Sequence, residues 1–262
     1  MMVHVSCIQR PSEPIALPLF CLCFCCALVL SFSGFQAQEN CNVEVKLLLL
    51  PAESQAAVVA LRGTREKPGR IYFFDTDKLD LLSQGAIVRL RQGAKSDLTI
   101  KFRAPNGKKL SATREGGGDF KCEVDLTREG PNSSYSITRQ LATDELPQTG
   151  TDVSRLLSAA QIKLLEDAHI SVDWTRVKRV AEITSTSWQT QSQPHVGKLT
   201  LELWEWPEGK ALELSTKVSS DAGSSSYTEL QKLAAMKHLA MSPDQQVKTS
   251  VALEAITRAA AH

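Results

Sequence analysis

The chain carries almost no net charge: 30 lysines and arginines against 29 aspartates and glutamates leave +1 at neutral pH. A field that weak recruits neither nucleic acid nor an anionic membrane surface, so any preference for anions has to be local. Ready-made catalytic signatures are missing too. No Gly-x-Ser-x-Gly turn and no phosphate loop ending in Gly-Lys-Ser/Thr occurs, which removes the commonest serine hydrolases and P-loop enzymes. The histidines (His4, His169, His195, His238 and His262) have no metal-ligand spacing and read as surface or helix-end residues. Gly116-Gly117-Gly118 lacks the strand-to-helix context of a nucleotide fingerprint and reads as a flexible loop. No internal repeat points to a solenoid.

The N-terminus stands apart from the rest. Residues 15–30 are nearly all apolar, Arg10 precedes them, and small or polar residues follow from Ser31 to Ala37, which is the layout of a secretory signal cleaved after Ser33 or Ala37. The run is about 16 residues, short of the roughly 20 of a spanning helix, so an exported chain (periplasmic or extracellular) is expected in place of one held by a retained anchor. Cys7, Cys21, Cys23, Cys25 and Cys26 lie in or before that segment, leaving Cys41 and Cys122 in the mature chain. They can pair with each other or stay as two buried thiols. Asn132-Ser133-Ser134 is a glycosylation acceptor where export follows a eukaryotic route.

Beyond the leader, 262 residues at 42% hydrophobic and 23% charged suffice for a sizeable core. Strand patterns occupy 43–50, 71–75, 86–92, 98–103, 120–126 and 135–139, with a helix at 51–62 and a short helix at 77–84 that Thr76 caps and Gly85 ends. The polar segment 106–118 reads as a connection. Further on, 153–169 reads as an amphipathic helix, 174–189, 198–206 and 212–218 as strands, and 207–210 as a hairpin turn. Ser226 with Glu229 forms a capping box for a helix at 227–240, and Ser242-Pro243 opens a last one. Mostly hairpin-linked strands with helices between or after them indicate an α+β fold with an antiparallel sheet, curled or closed.

On several strands the face opposite the apolar one is charged. Arg89 and Arg91, Lys101 and Arg103, Lys121 with Glu123 and Asp125, Arg176 and Lys178, and Glu213 with Ser215 and Lys217 all recur at a spacing of two, which puts each set on one sheet face. Guanidinium forks two residues apart suit an anion with several oxygens, most simply a phosphate chain. Such faces either coat the solvent side of an open sheet or, if the sheet closes, line a polar interior.

These residues resemble the CYTH-domain, or triphosphate tunnel metalloenzyme, superfamily over residues 42–218. The resemblance rests on Val43-Glu44-Val45-Lys46, on Tyr72-Phe73-Phe74-Asp75-Thr76-Asp77 through Gly85 to Arg89-Leu90-Arg91, and on Leu98-Thr99-Ile100-Lys101. It implies a closed or nearly closed eight-stranded antiparallel β-barrel, a tunnel with flanking helices, over 38–220, preceded by a signal peptide at 1–37 and followed by helices at 221–262 that pack on the domain. Carried onto this chain, Lys46, Arg89, Arg91 and Lys101 become phosphate ligands, joined by Arg103, Lys121 and Lys178. Glu44, Glu123 and Glu213 become ligands for Mg or Mn, with Asp125 and Glu202 as further carboxylates. The implied partner is a phosphate-containing small molecule or polyphosphate.

Two departures alter that expectation. Asn42 stands where the resemblance calls for the first glutamate of the opening motif, and Ser215 where it calls for a second acidic residue on the last strand. Divalent-metal affinity follows the number of charged oxygen ligands, so losing two weakens it. The expectation is an exported protein that binds a phosphate-chain anion in a basic tunnel; the alternative is a metal-dependent triphosphate or polyphosphate phosphohydrolase.

Overall fold

A computed structural model describes residues 41–103, 119–145 and 152–260. The expected leader at 1–37 and the connection at 106–118 lie outside the described residues. Nine strands form a closed barrel. In chain order they are β1 (Asn42–Leu49), β2 (Thr64–Asp75), β3 (Ala86–Gln92), β4 (Ser96–Arg103), β5 (Asp119–Thr127), β6 (Gly130–Leu141), β7 (Lys178–Gln189), β8 (Leu199–Trp206) and β9 (Gly209–Val218). Around the barrel the order is β1-β5-β6-β4-β3-β2-β7-β8-β9, with β9 pairing back onto β1. The α+β barrel thus has nine strands where eight antiparallel ones are expected. A ring of alternating directions needs an even number of strands, so a nine-strand ring must hold a parallel pair, and it is β1 with β5. Cys41 and Cys122 bridge that same pair, their Cα atoms 4.6 Å apart.

The barrel turns its polar face inward. Opposed residues on paired strands share a face, and the outward set Val45, Leu47, Val88, Leu90, Leu98, Ile100, Leu201 and Leu214 is buried under helices. On one side α1 (Ser54–Ala60), entered from a 3-10 turn at Pro51–Glu53, and α4 (Gly223–Met236) cover β1, β8 and β9. On the other, α3 (Ala159–Asp167) covers β4 and β6; its capping box is made by Ser158 and Gln161, and the buried Gln161 amide also donates to the carbonyls of Leu98 and Ile137.

The fifth helix has a different place. Ala252 and Leu253 of α5 (Lys248–Ala260) pack among Ile71, Phe73, Ile87, Ile183, Trp204 and Ala211. Ile71 and Phe73 lie directly across from Arg91 and Arg89, on the inward face. Helix α5 therefore fills one end of the barrel with apolar side chains and leaves the remainder polar.

Several local expectations shift. The 153–169 segment is a 3-10 turn at Val153–Leu156 followed by α3, broken where Ser158 stops to cap. Residues 174–176 form another 3-10 turn, held by Asp173 accepting from the Thr175 amide, so β7 begins at Lys178. Ser226 is buried inside α4 and caps nothing: the helix starts earlier, at Gly223, whose missing Cβ lets it sit against Val43 and Leu126. The Ser242-Pro243 segment opens no helix, because Gln245 clamps the Leu48 backbone, accepting from its amide at 3.0 Å and donating to its carbonyl at 2.8 Å. Helix α2 is only Asp80–Ser83, and Asp75, more than Thr76, organises it by accepting from the amides of Thr76, Leu81 and Leu82.

Gly85 holds a φ of +83°, and a Cβ there would stand 2.5 Å from the Arg103 carbonyl oxygen, while its own carbonyl accepts from the Arg103 amide at 2.8 Å. Gly85→Ala is expected to destabilise the fold by more than about 1 kcal/mol, read by chemical denaturation. Opening the Cys41–Cys122 bridge as Cys122→Ser is expected to cost about 2–4 kcal/mol, since it releases a loop of 81 residues in the unfolded chain. An unchanged midpoint would show that the bridge is idle.

Candidate functional site

The inward face encloses a cavity of about 970 Å³. Lys46, Arg89, Arg91, Lys101 and Arg103 all line it, as do Glu44, Glu123, Glu202, Glu213 and Lys217. The spacing of two along β1, β3, β4, β5, β8 and β9 puts them there, and strand register then decides who meets whom.

The carboxylates are held by lysines. Asp125, fully buried, lies between Lys46 and Lys101, its Oδ1 at 2.8 Å from the Lys46 Nζ and its Oδ2 accepting from the Lys101 Nζ at 3.2 Å. The Oδ1 contact is an ion pair without hydrogen-bond alignment. Lys46 also pairs with Glu44 at 3.2 Å, and Lys101 approaches Glu123 at 3.7 Å. Lys217 closes the chain by donating to Glu123 at 3.0 Å. Across the barrel the ammonium of Lys248, the first residue of α5, contacts both Glu202 and Glu213, the latter at 3.0 Å.

Titration follows these contacts. Burial alone would raise the Asp125 carboxyl, but Lys46, Lys101 and Arg103 hold it far below the usual carboxylate range. Burial likewise opposes ionisation of Glu202 and Glu123, and is outweighed by Lys248 with Arg91 for the first and by Lys101 with Lys217 for the second. Lys46 is raised despite burial, because Asp125, Glu213 and Glu44 surround it.

Three guanidiniums are left over. Arg89, Arg91 and Arg103 form no ion pair among the described residues, and the Nε atoms of Arg89 and Arg103 are buried without a hydrogen-bond partner. Burial, then the neighbouring Arg91, push Arg89 well below its ordinary value, and burial lowers Arg103. A guanidinium keeps its proton at neutral pH, so these are half-buried cations short of negative charge. Hydroxyls of Thr99, Ser136, Thr138 and Ser185 add neutral donors to the wall. The arrangement can take up an anion rich in oxygens.

Other residues read from sequence fall elsewhere. Lys178 stands outside the tunnel, exposed and paired with Asp77 at 2.7 Å, because β7 keeps it at the strand's first, outlying position. Lys121 is at the rim, paired with Asp119 at 2.7 Å. Asn42 is exposed, whereas Ser215 is buried directly opposite Lys46. His169 and His238 take positive φ just past α3 and α4, as helix-end residues do. Lys248 is the residue that sequence reading missed. Its available signal is helical: Lys248 and Ala252 share a face, so a lysine continues the apolar stripe that enters the barrel.

No protein-family model and no curated protein matches the sequence. Solved structures do. HpAC1 from Hippeastrum, a candidate adenylyl cyclase whose description reports a dominant triphosphatase activity, is 19% identical with a TM-score of 0.57, covering 79% of this chain and 93% of its own. A candidate adenylate cyclase from Bacillus halodurans is 16% identical with a TM-score of 0.53, covering 79% of this chain and 95% of its own. Both likenesses are of fold, and the shared closed barrel is the architecture that the resemblance to the CYTH superfamily implies. Within it, Glu44, Glu123 and Asp125 bring one oxygen each to within 4.8 Å of one another, an all-oxygen set whose chemistry fits a hard divalent cation. Two ammoniums, Lys46 and Lys101, already lie against that set.

Asp125→Asn is expected to destabilise the tunnel protein by about 3–5 kcal/mol in denaturant unfolding, since it leaves two buried ammoniums facing each other. The folded carboxyls of Asp125, Glu123 and Glu202 sit below their unfolded values, so their contribution is complete above roughly pH 4–5 and lost as pH falls. Stability of the wild type is expected to drop steeply below about pH 4, with a shallower acid limb in Asp125→Asn; parallel limbs would contradict the assignment.

Proposed function

We propose that this chain is an exported protein that binds a phosphate-chain anion inside the tunnel without needing to hydrolyse it. The observation that carries the reading is the imbalance inside the cavity. Each inward carboxylate of Glu44, Glu123, Asp125, Glu202 and Glu213 touches a lysine, and Arg89, Arg91 and Arg103 are left with uncommitted charge. A phosphate chain supplies several anionic oxygens at the spacing of adjacent guanidiniums and matches them better than a single carboxylate. Hydrolysis is disfavoured by the same pairing. A carboxylate neutralised by a tethered ammonium is a poor metal ligand, and Asn42 and Ser215 bring no charge to replace it. Export enters from the 1–37 leader, and it argues against nucleoside triphosphates, which are scarce outside the cytoplasm.

The convergent oxygens of Glu44, Glu123 and Asp125 favour a second reading, a Mg- or Mn-dependent triphosphate or polyphosphate phosphohydrolase. Those three residues would hold the metal, which would supply charge to neutralise the phosphate oxygens during attack by water. The titratable work of the chain itself would be clamping: Arg89, Arg91 and Arg103 orient the phosphates, and Lys46 and Lys101 stabilise charge as it shifts.

Purified protein mixed with tripolyphosphate in EDTA is expected to melt higher, by an amount that grows with ligand as RT ln(1 + [L]/Kd), about 2.7 kcal/mol at a hundredfold excess over Kd. Arg89→Ala is expected to abolish that shift, and phosphate release with Mg2+ or Mn2+ is expected to stay at background. Turnover that vanishes in Glu44→Ala would establish the hydrolase instead. Absence of any tripolyphosphate-dependent shift would remove both readings.

A further inference from the structure

Lys248 occupies an unusual place for a helix residue. It is 5% exposed, its ammonium contacts Glu202 and Glu213, and it lies 4.6 Å from the centre of the Trp204 ring, a cation–π contact. Glu202 uses its other oxygen to accept from the Ser185 hydroxyl at 3.0 Å. The ammonium is thus encircled by two carboxylates and an aromatic face, as a bound cation would be. It cannot drift away either. Ala252 and Leu253, one turn further along α5, are buried in the apolar end of the barrel, and Gln245 fastens the approach to the Leu48 backbone.

We infer that the Lys248 ammonium is the resident cation of the Glu202–Glu213 pair, so that this wall of the tunnel takes no divalent metal and the phosphate chain enters as the bare, uncomplexed anion. This rests on the tunnel being an anion site, and it adds the form in which the anion is recognised. A tethered cation competes with free metal at a very high effective concentration, and displacing it would also drag α5 out of its packing. Sodium and calcium face the same barrier. A phosphate chain already carrying Mg2+ would bring its own positive charge towards Lys46, Lys101, Lys248 and the three guanidiniums, where like charges repel. The uncomplexed chain brings its full negative charge to the three guanidiniums, while the carboxylates beside them are already paired with lysines. Specificity between the two forms therefore lies in a lysine supplied from outside the strands.

The test separates the lysine from the anion. Mn2+ binding is counted by electron paramagnetic resonance in phosphate-free buffer for the wild type, Glu202→Gln, Lys248→Met and Lys248→Met/Glu202→Gln. Lys248→Met keeps the stem over Trp204 and removes the charge; Lys248→Ala is the companion variant if the methionine form fails to fold. The expected result is one more Mn2+ equivalent in Lys248→Met than in the wild type, lost again on adding Glu202→Gln. A folded charge-deleted variant with no added Mn2+, or a wild-type Mn2+ equivalent that Glu202→Gln removes, would overturn the inference. Tripolyphosphate affinity of the wild type, measured in parallel, is expected to be tighter in EDTA than in excess Mg2+. Tightening by Mg2+ that disappears in Glu202→Gln would overturn it as well. Because the Mn2+ count contains no phosphate, an added equivalent alongside no tripolyphosphate binding at all would uphold the lysine's role and defeat the anion-binding function on its own.

Discussion

Charge enclosed by a closed barrel must be balanced by other charge in the same enclosure, and the contact between Asp125 and the ammoniums of Lys46 and Lys101 meets that requirement on the wall formed by β1, β4 and β5. Desolvation of each ion costs several kcal/mol, and attraction offsets it only when partners are close and well placed. Strands β1, β4 and β5 meet that condition because the parallel β1–β5 pair brings Glu44 across from Asp125, and β4 delivers Lys101 from the far side of β6. The disulfide reinforces the one junction where directions do not alternate. Outside, leucines, valines and isoleucines under α1, α3 and α4 provide the hydrophobic stability that lets the interior remain polar.

Much of this architecture is legible in the alternation of residues. Arg89 and Arg91, or Lys101 and Arg103, announce a polar face by spacing alone, and their apolar neighbours announce the opposite one. Spacing could not say whether that polar face points to water or to a lumen; register around the closed ring settles it, with Phe73 opposed to Arg89 and Ile71 to Arg91 on the same inward surface. The nine-strand count and its parallel pair depend on which distant strands meet, which local pattern does not encode. Helix starts fared worst. Ser226 and Ser242-Pro243 carry familiar opening chemistry, yet packing of Gly223 against β1 and the Gln245 clamp on Leu48 override it.

The candidate site shows the same division. Strand-borne charges are readable because they recur at intervals of two, whereas Lys248 sits on a helix distant in sequence from Glu202 and Glu213, and only tertiary structure joins it to them. Its presence changes the chemistry that the barrel can offer. Carboxylates that would otherwise attract a divalent ion are committed to ammoniums, and the arginines hold the uncommitted charge. The proposed function follows from that division: ammoniums hold the carboxylates, and the guanidiniums are what remains for an oxygen-rich anion.

The most direct measurement is a crystal structure of the protein grown with tripolyphosphate in EDTA. The account predicts a phosphate chain inside the barrel, its oxygens within hydrogen-bond distance of Arg89, Arg91 and Arg103, with the Lys248 ammonium still between Glu202 and Glu213. Tripolyphosphate bound only on the outer surface at saturating concentration, with the three guanidiniums still facing water, would contradict it.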